Sequence, residues 1–289
     1  MINDNITIHK AVNPAEYLPK IDINEADADF ICVVSENEDC IYFILFQDEV
    51  VGLAIADNGK HAFLYIYIFH EYRRKGYGTS AATLLEKHLK TPELINITAC
   101  YRNDNYAAEV FAEKCGYVKK YASDYMVYSN PPFETESVPV RQYKDMDYSA
   151  AHSLYAEAFH IMRLGTGCFP ESVPEAPSEQ MRKFWAETAA ERLVYLMGDE
   201  IVGYAHIEGS EISSVSVKSK YQGKGIGQKF LKYIVNKLLN EGDKKPYLYC
   251  VVGNDARYLY NKLGFKKVYC NNYAVKNKDN ISDQMRDIK

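Results

Sequence analysis

Among its 289 residues the chain has one tryptophan, no Cys-x-x-Cys pair in seven cysteines, and no run of eighteen apolar residues. Each absence removes a class of protein. Without paired cysteines, or cysteines spaced with the seven histidines as ligands, neither a disulfide framework nor a metal site is expected. Without a long apolar run there is no candidate membrane span. The start, Met1-Ile2-Asn3-Asp4-Asn5, lacks a basic stretch followed by an apolar one, so the expected location is cytoplasmic. Positive charge is also in deficit, with 34 Lys and Arg against 39 Asp and Glu and a formal net charge of -5. A broad nucleic-acid-binding face is therefore not expected, because phosphate contacts need clustered cations.

What is present is ordinary for globular protein, 47% hydrophobic and 25% charged, and 289 residues suffice for two domains that each bury a core. The segment Ser129-Asn130-Pro131-Pro132-Phe133-Glu134-Thr135-Glu136-Ser137 breaks helical and strand patterns alike. It sets the expected domains at 1–130 and 137–276, followed by a polar tail at 277–289. Strands are expected at 6–10, 40–46, 50–56 and 63–69 in the first half, and at 138–142, 193–197, 201–208 and 212–217 in the second. Each series runs into a glycine-rich turn and then a helix-periodic stretch. In the second half Gly227, Phe230, Leu231, Ile234, Val235 and Leu238 recur at the spacing of one buried helical face.

The two turns are the most informative feature. Tyr221-Gln222-Gly223-Lys224-Gly225-Ile226-Gly227 has a counterpart in Tyr72-Arg73-Arg74-Lys75-Gly76-Tyr77-Gly78. Glycines at a helix N-terminus leave backbone N–H groups bare, which makes a cradle for an anion such as a pyrophosphate. A second motif comes after it in the same order at nearly the same offset: Lys114-Cys115-Gly116-Tyr117 and Lys262-Leu263-Gly264-Phe265. Two copies of one domain are implied. Between the motifs come a short strand, at 95–100 or 247–252, and a second helix. Asn105 or Asn254 is placed to cap that helix, and Gly116 or Gly264 to end it.

This order, with both motifs, resembles the GNAT superfamily of acyl-CoA-dependent N-acetyltransferases over roughly 1–128 and 137–276. The motif Gln/Arg-x-x-Gly-x-Gly/Ala is matched by 222–227 and by 73–78. The later motif is matched by Leu259-Tyr260-Asn261-Lys262-Leu263-Gly264-Phe265 and by Phe111-Ala112-Glu113-Lys114-Cys115-Gly116-Tyr117. The resemblance implies an α+β fold of two tandem domains, each a mixed, mostly antiparallel sheet flanked by helices and splayed between its fourth and fifth strands. Acetyl-CoA would lie in the splay as co-substrate, with no metal. It would be held by the backbone of Val215, Ser216 and Val217, by the turn of Gln222, Gly223, Lys224, Gly225, Ile226 and Gly227, and by Asn254. In the first half the corresponding turn is Arg73, Arg74, Lys75, Gly76, Tyr77 and Gly78.

The same resemblance implies the chemistry: transfer of an acetyl group to a primary amine of a small molecule or peptide. Tyr260 would protonate the leaving thiolate. Glu211, eleven residues before Gln222, would take the ammonium proton, with Glu208 and His206 in reserve. The equivalent positions in the first half are Ala112 and Ala62, so the second half is expected to be the catalyst and the first half degenerate. The longer insert of the second half, including residues 159–170, would contribute a lid over the acceptor. Glu171, Glu175 and Glu179 lie in or beside that lid as either a solvated loop or a site for a cationic amine. The chain is expected as a monomer, an internal pseudo-dimer, or as a homodimer, without a membrane or nucleic-acid partner. Two other readings compete with this one. A dinucleotide fingerprint at Gly76-Tyr77-Gly78-Thr79-Ser80-Ala81 lacks the acid about 20 residues on, and a non-catalytic acyl-CoA sensor fits the first half but leaves Tyr260 and Glu211 without a role.

Overall fold

The computed structural model describes residues 5–242 and 245–283. Its first series of elements is β1 (Ile6–Lys10), α1 (Ala28–Glu36), β2 (Ile41–Phe46), β3 (Glu49–Asp57), β4 (His61–Ile68), α2 (Tyr77–Leu89), β5 (Asn96–Arg102), α3 (Tyr106–Lys114) and β6 (Val118–Tyr128). The second is β7 (Val140–Gln142), α4 (Tyr148–Gly165), α5 (Glu179–Glu187), β8 (Arg192–Met197), β9 (Glu200–Glu208), β10 (Glu211–Val217), α6 (Ile226–Glu241), β11 (Tyr247–Val251), α7 (Ala256–Leu263), β12 (Phe265–Asn277) and α8 (Lys278–Asp283). Every strand expected from the sequence has its counterpart. The mixed α+β class, sheet flanked by helices in two tandem copies, is the fold observed.

The chain divides into two compact units, 1–122 with 270–289, and 123–269. This differs from the expected division at 130 and 137, and the reason is the last strand of each sheet. In the first unit β1 to β4 pair antiparallel in sequence and β4 pairs parallel with β5. The neighbour of β5 is then the far end of the chain, with Asn271 opposite Arg102 and Asn277 opposite Asn96. In the second unit β7 to β10 pair antiparallel, β10 pairs parallel with β11, and the neighbour of β11 is residues 123–127 of β6. Each sheet is completed by a strand that the sequence places in the other half.

Polar contacts fasten the late strand into the first unit. Lys276, 1% exposed, donates to Glu86 Oε2 at 2.8 Å and to the Cys115 carbonyl at 2.9 Å, and its ammonium lies 5.7 Å from the centre of the Tyr117 ring. Burial raises the Glu86 carboxyl while the ammonium opposes that shift. The Asn271 amide donates to the Asp27 carboxylate. Of the expected polar tail, 278–283 form α8, with Ile281 in the core. Residues 1–4 and 284–289 lie outside the described residues.

The helices bury the faces their spacing predicts. In α6 Ile226, Phe230, Leu231, Ile234, Val235 and Leu238 are buried in one cluster with β9 and β11 residues, and each large side chain so buried contributes roughly 1.5–3 kcal/mol. The expected lid is a helix over much of its length, since α4 runs to Gly165. Its buried residues Ala151 and Leu154 pack with Trp185 of α5 and Tyr204 of β9. No helix among the described residues is long and apolar enough to cross a membrane.

Replacing Lys276 by Met strands the Glu86 carboxylate in a dry site, which costs about 3–5 kcal/mol. Urea unfolding is expected to show that loss, and a Lys276→Met, Glu86→Leu double variant to recover most of it.

Candidate active site

The site begins where two strands part. β10 and β11 share one register pair, Glu211 with Tyr247, and the next residues of β10 keep only β9 as a partner. The first unit repeats the feature: β4 and β5 pair from His61 with Asn96 to Leu64 with Ala99, and Tyr65 to Ile68 continue with β3 alone. A backbone edge left without a strand partner offers N–H and C=O groups to a ligand. Val215, Ser216 and Val217 form that edge in the second unit, with Val215 and Val217 half-buried against the α6 core and the Ser216 side chain buried.

The turn after β10 ends in left-handed glycines at the N-terminus of α6. Gln222 folds back and donates from Nε2 to the Val217 carbonyl at 2.9 Å. Arg73 makes the equivalent bond from Nε to the Ile68 carbonyl at 2.9 Å, which explains why Gln and Arg share this motif position. Gly223 and Gly225 then take φ of 72° and 81°, a left-handed conformation that glycine adopts without Cβ strain. A Cβ on either would meet nothing within 4 Å, so the space before α6 is open and the requirement is conformational. Gly225 caps α6, whose first amides and dipole point out. The Ile226 side chain is buried in the core, leaving its backbone to the cradle. Lys224 lies 5.2 Å over the Tyr221 ring.

A carboxylate that sequence reasoning missed holds this turn. Glu200 accepts from Lys218 at 2.9 Å, Lys220 at 3.2 Å and the Tyr221 hydroxyl at 2.7 Å. Those donors hold its carboxyl at about 2. The group is intact above the ordinary glutamate range and is lost only as pH falls through that depressed value.

The second motif comes to the same place. Leu259 Cδ2 and Val217 Cγ2 lie 3.6 and 3.7 Å from the position a Cβ on Gly227 would take, so α7 abuts the cradle. Tyr260, half-buried, packs on the same core as Val215, Val217 and Tyr221 and meets the Phe265 ring edge-on at 6.1 Å. Burial raises its phenol well above the ordinary value, with Cys250 adding to the effect. It stays protonated at any working pH. Asn254 accepts from the Ala256 amide at 3.0 Å, but the N-cap of α7 is Asp255, one residue after the cap expected from the sequence.

The expected bases lie on β9 and at the start of β10. Glu211 opens β10 opposite Glu208, about 20 Å along the strand from Val217. His206 Nε2 lies 3.2 Å from Glu191, and burial followed by the Arg192 charge holds it below its ordinary value, hence neutral. Arg192 itself is 2% exposed and lies 4.8 Å over Trp185, which stacks on Tyr204 at 4.6 Å. Spacing gave no sign of this nest. A lone Trp was its one sequence signal.

The first unit carries a groove of 520 Å³ between the parted β4 and β5, bounded by the cradle at Gly76 and Gly78 and by Phe111 of α3. Its turn mirrors the other, with Gly76 at φ 85° and Arg74 in the left-handed region at φ 64° in place of Gly223. A non-glycine there costs about 1–2 kcal/mol. Tyr77 is buried against Phe46, and Lys75 lies 5.4 Å over Tyr72. Arg73 is paired with Glu25 at 2.7 Å. Ala62 and Ala112 are buried in the core and bring no functional group.

Comparison with known proteins accords with this geometry. The model of the acetyltransferase (GNAT) family matches residues 6–117, and a second acetyltransferase (GNAT) domain model matches 156–280. The chain belongs to the GNAT family of N-acetyltransferases, as a tandem of two domains. Similar solved structures include a GCN5-related N-acetyltransferase from Sphaerobacter thermophilus, 19% identical with a TM-score of 0.70, over 96% of this chain and 97% of that one. A GNAT-family acetyltransferase from Colwellia psychrerythraea is 12% identical with a TM-score of 0.59, over 94% and 99%. A tandem GNAT protein from the clavulanic acid biosynthesis pathway is 11% identical with a TM-score of 0.58, over 94% and 98%. At these identities the likeness is one of fold. Among curated proteins none matches the chain. GNAT enzymes generally use acetyl-CoA, and the open cradle and unpartnered strand edge fit a pyrophosphate and its amide-bearing arm.

Glu200→Gln loosens the turn that presents the cradle. Because its partners are exposed ion pairs, acetyl-CoA affinity by calorimetry is expected to fall about two- to fivefold, with the thermal midpoint nearly unchanged.

Proposed function

We propose that the unit of residues 123–269 transfers an acetyl group from acetyl-CoA to a primary amine of a small molecule or peptide. The observation that carries this reading is the convergence of the Gln222–Gly227 cradle, the free edge at Val215–Val217 and Tyr260 on one side of a single core. The bound co-substrate supplies a thioester carbonyl, which a neutral amine attacks as the carbon–sulfur bond breaks. The α6 amides hold the pyrophosphate, and the β10 backbone aligns the arm and polarises the thioester oxygen.

Two protons must move. Tyr260, kept protonated by burial, gives its proton to the departing sulfur. A phenol raised by burial is a weaker acid than a free one, but the thiolate leaves into the same dry surroundings, where its own proton affinity rises too. The match between donor and acceptor is preserved. The ammonium proton leaves through neutral His206, opposite Ser214 on the adjacent strand, and Glu211 at the far end of β10 is its final acceptor through a chain of waters.

For the first unit a different reading is favoured by its 520 Å³ groove and its intact cradle. It binds acyl-CoA without turnover, since Ala112 and Ala62 stand where Tyr260 and Glu211 stand in the other. The Arg73–Glu25 pair places a carboxylate beside the cradle, which weakens polyanion binding there relative to the second unit.

Tyr260→Phe keeps the ring against Phe265 and removes the donor. Loss of general-acid help is expected to lower kcat by about 10²- to 10⁴-fold while acetyl-CoA affinity changes little. Near-normal turnover in that variant, under conditions where chemistry limits the rate, would assign the proton to water.

A further inference from the structure

A cleft of 670 Å³ opens in the second unit between α4, the 174–178 segment and the first turns of α5. Its wall carries Glu157, Glu175 and Glu179 with Arg182 as the cation. That cation is already matched. Arg182 donates from Nε to Asp145 Oδ1 at 3.0 Å and from Nη2 to Oδ2 at 2.7 Å. The cleft therefore presents surplus negative charge, and an anionic ligand is disfavoured there.

An independent feature lies deeper in the same wall. His152 is 2% exposed and lines the cleft, and its Nε2 has no hydrogen-bond partner. Leaving a buried polar atom unpaired costs about 1–3 kcal/mol, so the site is incomplete as it stands. Its ring is fixed between Tyr148, at 5.2 Å, and Trp185, at 5.6 Å. Burial keeps the imidazole neutral, and Glu175 is near enough to act on it electrostatically. A neutral imidazole nitrogen accepts a hydrogen bond from an ammonium.

The three carboxylates stand on three segments, in α4, before α5 and in its first turn, so a single ammonium does not pair with all of them. Pro174, Pro177 and Ala156 supply apolar surface between. We propose that this cleft binds a linear polyamine, with ammonium groups at Glu157, Glu175 and Glu179, one of them donating to His152, and methylene spacers over the prolines and Ala156. Resting on the acetyltransfer reading above, this names the acceptor class. Glu157 also accepts from Ser219 Oγ at 3.1 Å in the turn that leads to the cradle, so the cleft adjoins the reacting end.

The one tryptophan of the chain supplies a probe that needs no turnover, because Trp185 packs on both His152 and Tyr148. Its fluorescence in the full-length protein is titrated with spermidine and, at matched ionic strength, with butylamine. A saturable change with spermidine is expected, at least about tenfold tighter than with butylamine, and a Glu175→Gln, Glu179→Gln variant should weaken it by about tenfold, the worth of two exposed ion pairs. Both positions are outside the core, so the variant tests the site without the folding risk of changing His152. Equal binding of the two amines, or spermidine binding untouched by the double variant, overturns the proposal. Binding without acetylation of spermidine keeps the cleft and rejects it as the acceptor site, whereas acetylation of another amine without spermidine binding upholds the transferase and rejects the polyamine.

Discussion

Everything at the candidate site depends on a strand partner being withheld. β10 leaves β11 after the pair Glu211 and Tyr247, and β4 leaves β5 after Leu64 and Ala99. Backbone groups in such an edge are costly to bury unpaired, and a ligand with its own amides is one partner that satisfies them. The parting also dictates the next element. Each such strand leads through a short turn to a helix whose first amides lie free, and Gln222 or Arg73 pins that turn by the same carbonyl bond in both units. The glycines are a consequence of that geometry.

From this shared frame the units diverge through few substitutions. Where α7 presents Tyr260 beside the cradle, α3 presents a buried Ala112. Where the second turn has Gly223 unstrained, the first has Arg74 held in the left-handed region. The first unit keeps a groove between its parted strands, and the second adds α4 and α5 with an acidic cleft and an aromatic nest. On the function proposed above, this is one frame specialised twice, for holding a ligand and for reacting it.

How much of this was legible in the sequence depends on range. The glycine turns, the α6 face and the Asn105 cap are written within a few residues each, and the structure has them where the spacing put them, while the cap of α7 falls at Asp255, one residue after Asn254. The exchanged strands were not legible, because residues 118–128 and 265–277 both come after a Gly-aromatic turn and nothing local says which sheet edge each completes. Lys276 is a buried lysine in a strand that also carries Lys266, Lys267, Asn271 and Asn272, and its meaning depends on Glu86, 190 positions away. Glu200 was missed for the same reason. The insert read as a lid is mostly helix because α4 packs on β9 through Ala151 and Leu154, a tertiary preference that its mixed composition concealed. The role proposed for Tyr260 rests on a motif position, and the geometry adds the burial that keeps its phenol protonated.

The central claim is that the two cradles have different tasks. It is tested most directly by acetyl transfer to a common amine acceptor in two folded variants, Gly225→Val with Gly227→Val, and Gly76→Val with Gly78→Val. A valine at Gly225 or Gly76 disfavours the left-handed turn by about 1–2 kcal/mol and places side-chain atoms where the anion approaches. The account predicts that the first variant loses turnover while the second keeps most of kcat. Lost turnover in the Gly76, Gly78 variant, with activity retained in the other, would contradict it and make residues 1–122 with 270–289 the catalyst.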